Sequence, residues 1–109
     1  SVYITHGPYE KYELFGSDVI LTCNASGNPS PNIYWEFKNR LIKSNQFKYT
    51  LYPNMLLIKI FDFSDIGIYK CIANNESPDM TNVTIDINLQ RASKYFTIKY
   101  LISFNRFLL

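Results

Sequence analysis

The chain's only two cysteines, Cys23 and Cys71, stand 48 residues apart, and each falls at the same phase of an alternating apolar pattern. Val19 and Leu21 lead to the first, alternating with Ile20 and Thr22 after the turn Gly16-Ser17-Asp18. Tyr69 and Ala73 flank the second within Gly67 to Asn74. Successive side chains of a strand point to opposite faces, so both thiols lie on faces expected to be buried and are placed to meet across a core. A bond closing a loop of that length is worth roughly 4 kcal/mol in the chain-entropy account and requires an oxidising compartment. The other reading keeps two buried free thiols in a reduced protein. A catalytic cysteine is disfavoured, because nothing nearby supplies a base.

The rest of the body follows the same period. Asn28-Pro29-Ser30-Pro31-Asn32 breaks the chain, after which Ile33, Trp35 and Phe37 alternate with Tyr34, Glu36 and Lys38. Leu56 and Ile58 continue after a Pro53-Asn54 turn, and Val83, Ile85, Ile87 and Leu89 alternate with Thr84, Asp86 and Asn88. Short alternating runs with turn residues every ten positions or so are the signature of an all-β sandwich or barrel. No run of the body keeps a helical apolar period, so helix is expected only as a turn around Phe63 to Ile66. With 109 residues the chain has room for one domain, and a 47% hydrophobic content supplies its core.

Cys23, Trp35 twelve positions later, and Asp65-Ile66-Gly67-Ile68-Tyr69-Lys70-Cys71 together resemble the immunoglobulin superfamily. In that fold two cysteines join the sheets, a tryptophan packs on the bridge, and a tyrosine two residues before the second cysteine forms a corner. The approach to Trp35 through Gly27-Asn28-Pro29-Ser30-Pro31, and the ending Cys71-Ile72-Ala73-Asn74, resemble the I-set subclass of cell-adhesion and receptor ectodomains. The resemblance covers roughly residues 8 to 89. It implies an immunoglobulin-like sandwich of two antiparallel sheets with an inter-sheet disulfide, without the extra strands of a variable-type domain. It gives Trp35, Tyr69, Asp65 and Gly67 core or corner roles. A basic partner for Asp65 is common in the family, and here Gln46 and Lys48 flank Phe47 at the position where an arginine usually stands. The glycine usual between the last two strands is absent from Asn75-Glu76-Ser77-Pro78-Asp79-Met80, so an irregular turn is expected there.

The residues available for chemistry are few. One histidine, His6, and two cysteines cannot assemble a metal cluster, and four glycines at 7, 16, 27 and 67 form neither a dinucleotide nor a phosphate loop. Asp62 and Asp65 sit where capping explains them better than acid–base work. No enzyme activity, cofactor, small-molecule substrate or metal is expected. A net charge of +2 points to no nucleic acid.

Recognition is therefore expected to lie on the surface. In the family's lettering, the sheet of strands C, F and G should turn Tyr34, Glu36, Lys38, Ile68, Lys70 and Ile72 outward, with Thr84 and Asp86 beside them. This is a mixed face suited to a protein partner, with an ordinary solvated or domain-packing face as the other reading. Three sequons, at Asn24, Asn75 and Asn82, are open to glycosylation if the chain is secreted. Asn75 is the best placed, being in a loop, and Asn28 is blocked by Pro29.

The division is thus residues 1–89 as the immunoglobulin-like domain and 90–109 as a basic, apolar extension, poorly ordered or a short helix. Residues 1 to 86 carry seven basic and nine acidic side chains, and 87 to 109 carry four basic and none acidic. Too short to span a bilayer, that tail fits an amphipathic helix lying on a membrane surface or packing on the sandwich, or an incidental extension of low order. The functional expectation is a non-catalytic extracellular or cell-surface module of cell adhesion or a receptor ectodomain, binding other proteins homophilically or heterophilically, in a parent chain open to membrane anchoring. The alternatives are a secreted soluble module, such as a decoy, an immune factor or a segment of a matrix protein, and an intracellular muscle-type module with free thiols.

Overall fold

The computed structural model describes residues 3–6, 9–75 and 82–93. Among the described residues the chain forms ten strands and one short 3-10 helix. The strands are β1 (Tyr3–His6), β2 (Glu10–Glu13), β3 (Val19–Thr22), β4 (Asn24–Ser26), β5 (Asn32–Phe37), β6 (Arg40–Leu41), β7 (Tyr49–Tyr52), β8 (Met55–Ile58), β9 (Gly67–Asn74) and β10 (Val83–Arg91). The helix, Phe63–Asp65, occupies the turn where the sequence expected one.

Two layers result. One is a five-stranded sheet of order β2-β10-β9-β5-β6, and the other is built from β3-β8-β7 with the β1-β4 pair. Among the described residues all pairings are antiparallel except one: β2 runs parallel to β10, with Leu89 opposite Lys11 and Arg91 opposite Glu13. Apart from that edge pairing, the described strands keep the antiparallel arrangement expected of the two sheets. The N-terminal segment changes layer, pairing first with β4 through β1 and then with β10 through β2. Of the extra strands expected to be absent, one does form, the two-residue β6 on the edge of β5. The last strand continues beyond Leu89 to Arg91, and the Ala92 N–H donates to the Glu13 carbonyl at 2.9 Å.

The alternation read from the sequence decides what is buried. Val19, Leu21, Cys23, Trp35, Leu56, Ile58, Tyr69, Cys71, Ile87 and Leu89 all lie in one core between the layers. Cys23 and Cys71 are joined by a disulfide, and Trp35 stands directly opposite Cys71 in the sheet register. The indole N–H of Trp35 is buried without a hydrogen-bond partner. The large apolar area that the ring removes from water outweighs the 1–3 kcal/mol such an orphan costs. Phe61 and Ile42 also belong to the core, although neither lies in an alternating run. The candidate turn between β9 and β10, and the tail from 94 to 109, fall outside the described residues.

Candidate functional site

The corner before β9 is built first, because it fixes the strand that carries most of the candidate face. Asp62 caps the short helix by accepting from the Ser64 N–H at 2.8 Å, and Asp65 returns the favour by accepting from the Asp62 N–H at 2.9 Å. The two carboxylates expected to cap therefore do so reciprocally. Hydrogen bonds from the Ser64 hydroxyl and backbone hold the Asp62 carboxyl below the usual aspartate range, with the Lys48 charge adding to them. The Tyr69 hydroxyl, buried, donates to the Asp65 carbonyl at 2.7 Å and pins the chain as it enters β9.

Lys48 completes the corner. Its ammonium forms an ion pair with the buried Asp65 carboxylate, lies 3.6 Å from Asp62, and donates to the Ile60 carbonyl at 3.0 Å. The basic partner common in the family is thus supplied one position after Phe47, which points outward and is exposed. Gly67 follows at φ +145°, where a side chain is strained. A Cβ there would also meet the Phe37 ring at 3.0 Å, the ring that stacks on Tyr69 at 4.2 Å between centroids.

With β9 so placed, the outward side chains form rows across the five-stranded sheet. Tyr34, Ile72 and Thr84 share one row, and Glu36, Lys70 and Asp86 the next. Ile68 stands opposite Asn88, and Leu41 opposite Glu36 on the edge strand. Tyr34 is 42% and Ile68 55% exposed, Lys38 and Lys70 are exposed, and Glu36 and Ile72 are half-buried. Glu36, Lys38, Ile68, Lys70, Asp86 and Asn88 line a shallow open depression. The middle row alternates acid, base and acid, flanked by apolar and aromatic groups, an arrangement able to make paired polar contacts around apolar anchors. Leu41 and Tyr12 add to this sheet's exposed apolar surface and escaped the sequence reading. Leu41 lies in a strand of two residues, too short for a period, and Tyr12 in a strand whose pairing partner is distant in sequence.

The three sequon asparagines gather at one end of the sandwich. Asn24 is exposed and accepts from the Asn54 side chain at 2.9 Å, while Asn82, also exposed, accepts from the Asn74 side-chain amide. Asn75, expected to be exposed in a loop, is instead 5% exposed at the end of β9. Among the described residues no group of three or more His, Cys, Asp or Glu is placed to hold a metal ion, and no helix is long and apolar enough to cross a membrane.

A family model described as "Immunoglobulin domain" matches residues 4–75. Tyrosine-protein phosphatase Lar of Drosophila melanogaster is 34% identical over 88 residues, which are 77% of this chain and 4% of that protein. Human neural cell adhesion molecule L1 is 39% identical over 77 residues, 67% of this chain and 6% of that protein. Among solved structures, the tandem Ig repeats of Dlar superpose with a TM-score of 0.72 at 33% identity, over 84% of this chain and 48% of that one. Neural ectodermal development factor IMP-L2 gives 0.74 at 27% identity, over 83% and 42%. The chain therefore spans a small part of the relatives it matches.

Proposed function

This chain belongs to the immunoglobulin domain family, and we propose that it acts as a non-catalytic recognition module of the extracellular space or cell surface, binding another protein through the outward face of its five-stranded sheet. The observation that carries this reading is the row structure of that face. Tyr34, Ile68 and Ile72 offer apolar anchors, and Glu36, Lys70 and Asp86 offer alternating charges that fix the register of a partner. The disulfide supports the oxidising compartment. Cell-adhesion and receptor-type proteins among the relatives, L1 and Lar, support a role in adhesion or in a receptor ectodomain. IMP-L2, a development factor by name, keeps a secreted soluble module as the second reading.

Glycosylation at Asn24 and Asn82 fits this reading, because both are exposed, whereas a glycan on Asn75 would have to displace the packing that buries it. Asn24 lies in β4, outside the five-stranded sheet, and leaves its face open, whereas a glycan on Asn82, which accepts from Asn74 beside the Ile72 and Thr84 row, would crowd one edge of that face.

The test is a binding screen of the chain against cell-surface proteins and against itself, repeated with Tyr34→Ala and Ile72→Ser. Interface anchors of this kind each cost more than about 1 kcal/mol when truncated, so partners of the face should bind at least about fivefold more weakly. Unchanged binding of every partner by both variants would refute the face.

A further inference from the structure

Residues 37–61 carry five basic side chains and no acidic one, in a body that up to residue 86 holds seven basic against nine acidic. Two of the five are engaged within the fold, Lys48 with Asp65 and Asp62, and Lys59 with the Gln46 carbonyl at 3.4 Å. The other three, Lys38, Arg40 and Lys43, are exposed and line one open depression with Leu41, Asn45 and Tyr49. Lys38 is steadied there, its ammonium 5.1 Å from the centroid of the Phe37 ring and 3.5 Å from the Ser64 carbonyl. Among the described residues Arg40 and Lys43 have no carboxylate within ion-pair distance. Glu36 lies one strand in, opposite Leu41, and does not line the depression.

The depression borders an open strand edge. Among the described residues β6 ends the five-stranded sheet and pairs with β5 alone. The turn between them is Lys38 and Asn39, both left-handed at φ +52° and +63°, the conformation of a tight two-residue hairpin. Arg40 stands opposite Phe37, and the Ile42 N–H donates to the Trp35 carbonyl at 2.8 Å. Bonded and non-bonded positions alternate along an antiparallel ladder, so the Leu41 N–H and carbonyl between those two positions point away from β5 into the open edge. Such an edge can take another chain as a further strand. Cations along it disfavour neutral and basic chains, and the same cations favour an acidic one.

We propose that β6 is a docking edge for an extended acidic segment of a protein partner. The segment adds as a strand beside Leu41, exchanging main-chain hydrogen bonds with its N–H and carbonyl, and its carboxylates meet Lys38, Arg40 and Lys43. This rests on the reading of the chain as a protein-recognition module and gives the partner's chemistry at one margin of that sheet. A peptide backbone answers both the charges and the paired donor and acceptor of Leu41. A sulfated polysaccharide, which answers the charges alone, and a second copy of the chain are the competing occupants.

The test is an NMR titration of the full chain with an eight-residue peptide alternating Glu and Val, run beside the same peptide N-methylated at every amide. A few main-chain bonds and screened charge contacts support a Kd on the order of 1 mM or tighter, with the Leu41 amide shifting and its exchange slowing. N-methylation removes the strand bonds and keeps the charge, so it should weaken binding by at least about fivefold. Arg40→Gln with Lys43→Gln should weaken it by at least about threefold, and so should raising the ionic strength from about 0.05 to about 0.5 M. Tyr34→Ala, aimed at the sheet face, should leave peptide binding unchanged, so the edge and the face fail separately. A Leu41 amide unmoved at about 5 mM peptide would overturn the proposal, as would peptide binding lost with Tyr34→Ala or kept in full by the Gln double variant. Equal binding of the N-methylated peptide would overturn it too, and capture of a heparin fragment would then assign the patch to a sulfated polysaccharide. Protection of the Leu41 amide without peptide, rising in step with a dimer seen by sedimentation, would assign the edge to a second copy instead.

Discussion

Lys48 shows how a single side chain can substitute for a family feature by reaching from a neighbouring position. Asp65 is buried, so its charge is tolerable only with partners, and it has the Lys48 ammonium as well as the Asp62 N–H. Lys48→Met should remove the charge partner while keeping the aliphatic stem. The expected loss is about 2 kcal/mol, below the 3–5 kcal/mol of a fully buried pair because the ammonium is partly hydrated, and thermal unfolding measures it. Lys48→Arg should recover most of the loss. A second expectation concerns the phenols. Burial, more than the nearby charges, holds the Tyr69 and Tyr49 hydroxyls above the ordinary tyrosine range, Tyr69 far above it. The unfolded chain releases these protons at lower pH than the folded one. The stability they carry is therefore intact below about pH 10 and is lost as pH climbs beyond it. Phenolate absorbance against pH should show Tyr69 ionising only as the fold is lost, and a smooth titration of all nine tyrosines without unfolding would contradict this. Tyr69 and Gly67 were legible in the sequence because their roles are local, set by a corner of a few residues. The Lys48 contact was not, because it depends on how far a flexible side chain reaches between loops.

Among the elements, β9 is the only strand of the five-stranded sheet that is long, carries a cysteine and is paired over most of its length on both sides, to β10 and to β5. Its amides should exchange only with global unfolding. Those of β6, two residues at an edge, should exchange through local opening. Comparable protection in the two strands, measured by native-state exchange, would show that β9 is not the stable centre of the sheet. The strands that were legible are those with one face in the core, β3, β5, β8, β9 and β10, because burial imposes the period of two. The split of the first strand into β1 and β2 was not legible. Which sheet edge a segment joins is decided by partners more than seventy residues away in the case of β2 and β10, and local alternation carries no record of that. The candidate face inherits the same division. Its central rows follow from strand phase alone, while its margins at Tyr12 and Leu41 come from edge pairings.

At the scale of the molecule the sandwich is polarised. One end gathers the sequons Asn24 and Asn82 and the turn at Asn54, the other gathers Phe47, Ile60 and Phe63, and the sheet face lies between. What keeps both ends in place is a core thin enough to depend on its covalent link. A domain of this size is stable by about 5–15 kcal/mol, and a bond closing a 48-residue loop supplies roughly 4 kcal/mol of it in the chain-entropy account. Replacing both Cys23 and Cys71 by Ala should therefore lower the melting temperature by about 15–30 °C, at about 4–8 °C per kcal/mol for a domain of this length. The double variant avoids stranding one thiol, so the comparison isolates the link and the lost sulfur packing. Most of the effect should appear as faster loss of the whole fold, with the sheet face and the two ends melting together, because every one of them is anchored to β3 or β9. Calorimetry of the intact chain, the reduced chain and the double variant measures it. A melting temperature unmoved by reduction would mean that hydrophobic packing around Trp35 carries the fold by itself, and that the alternative of two thiols in a reducing compartment is physically open to this sequence.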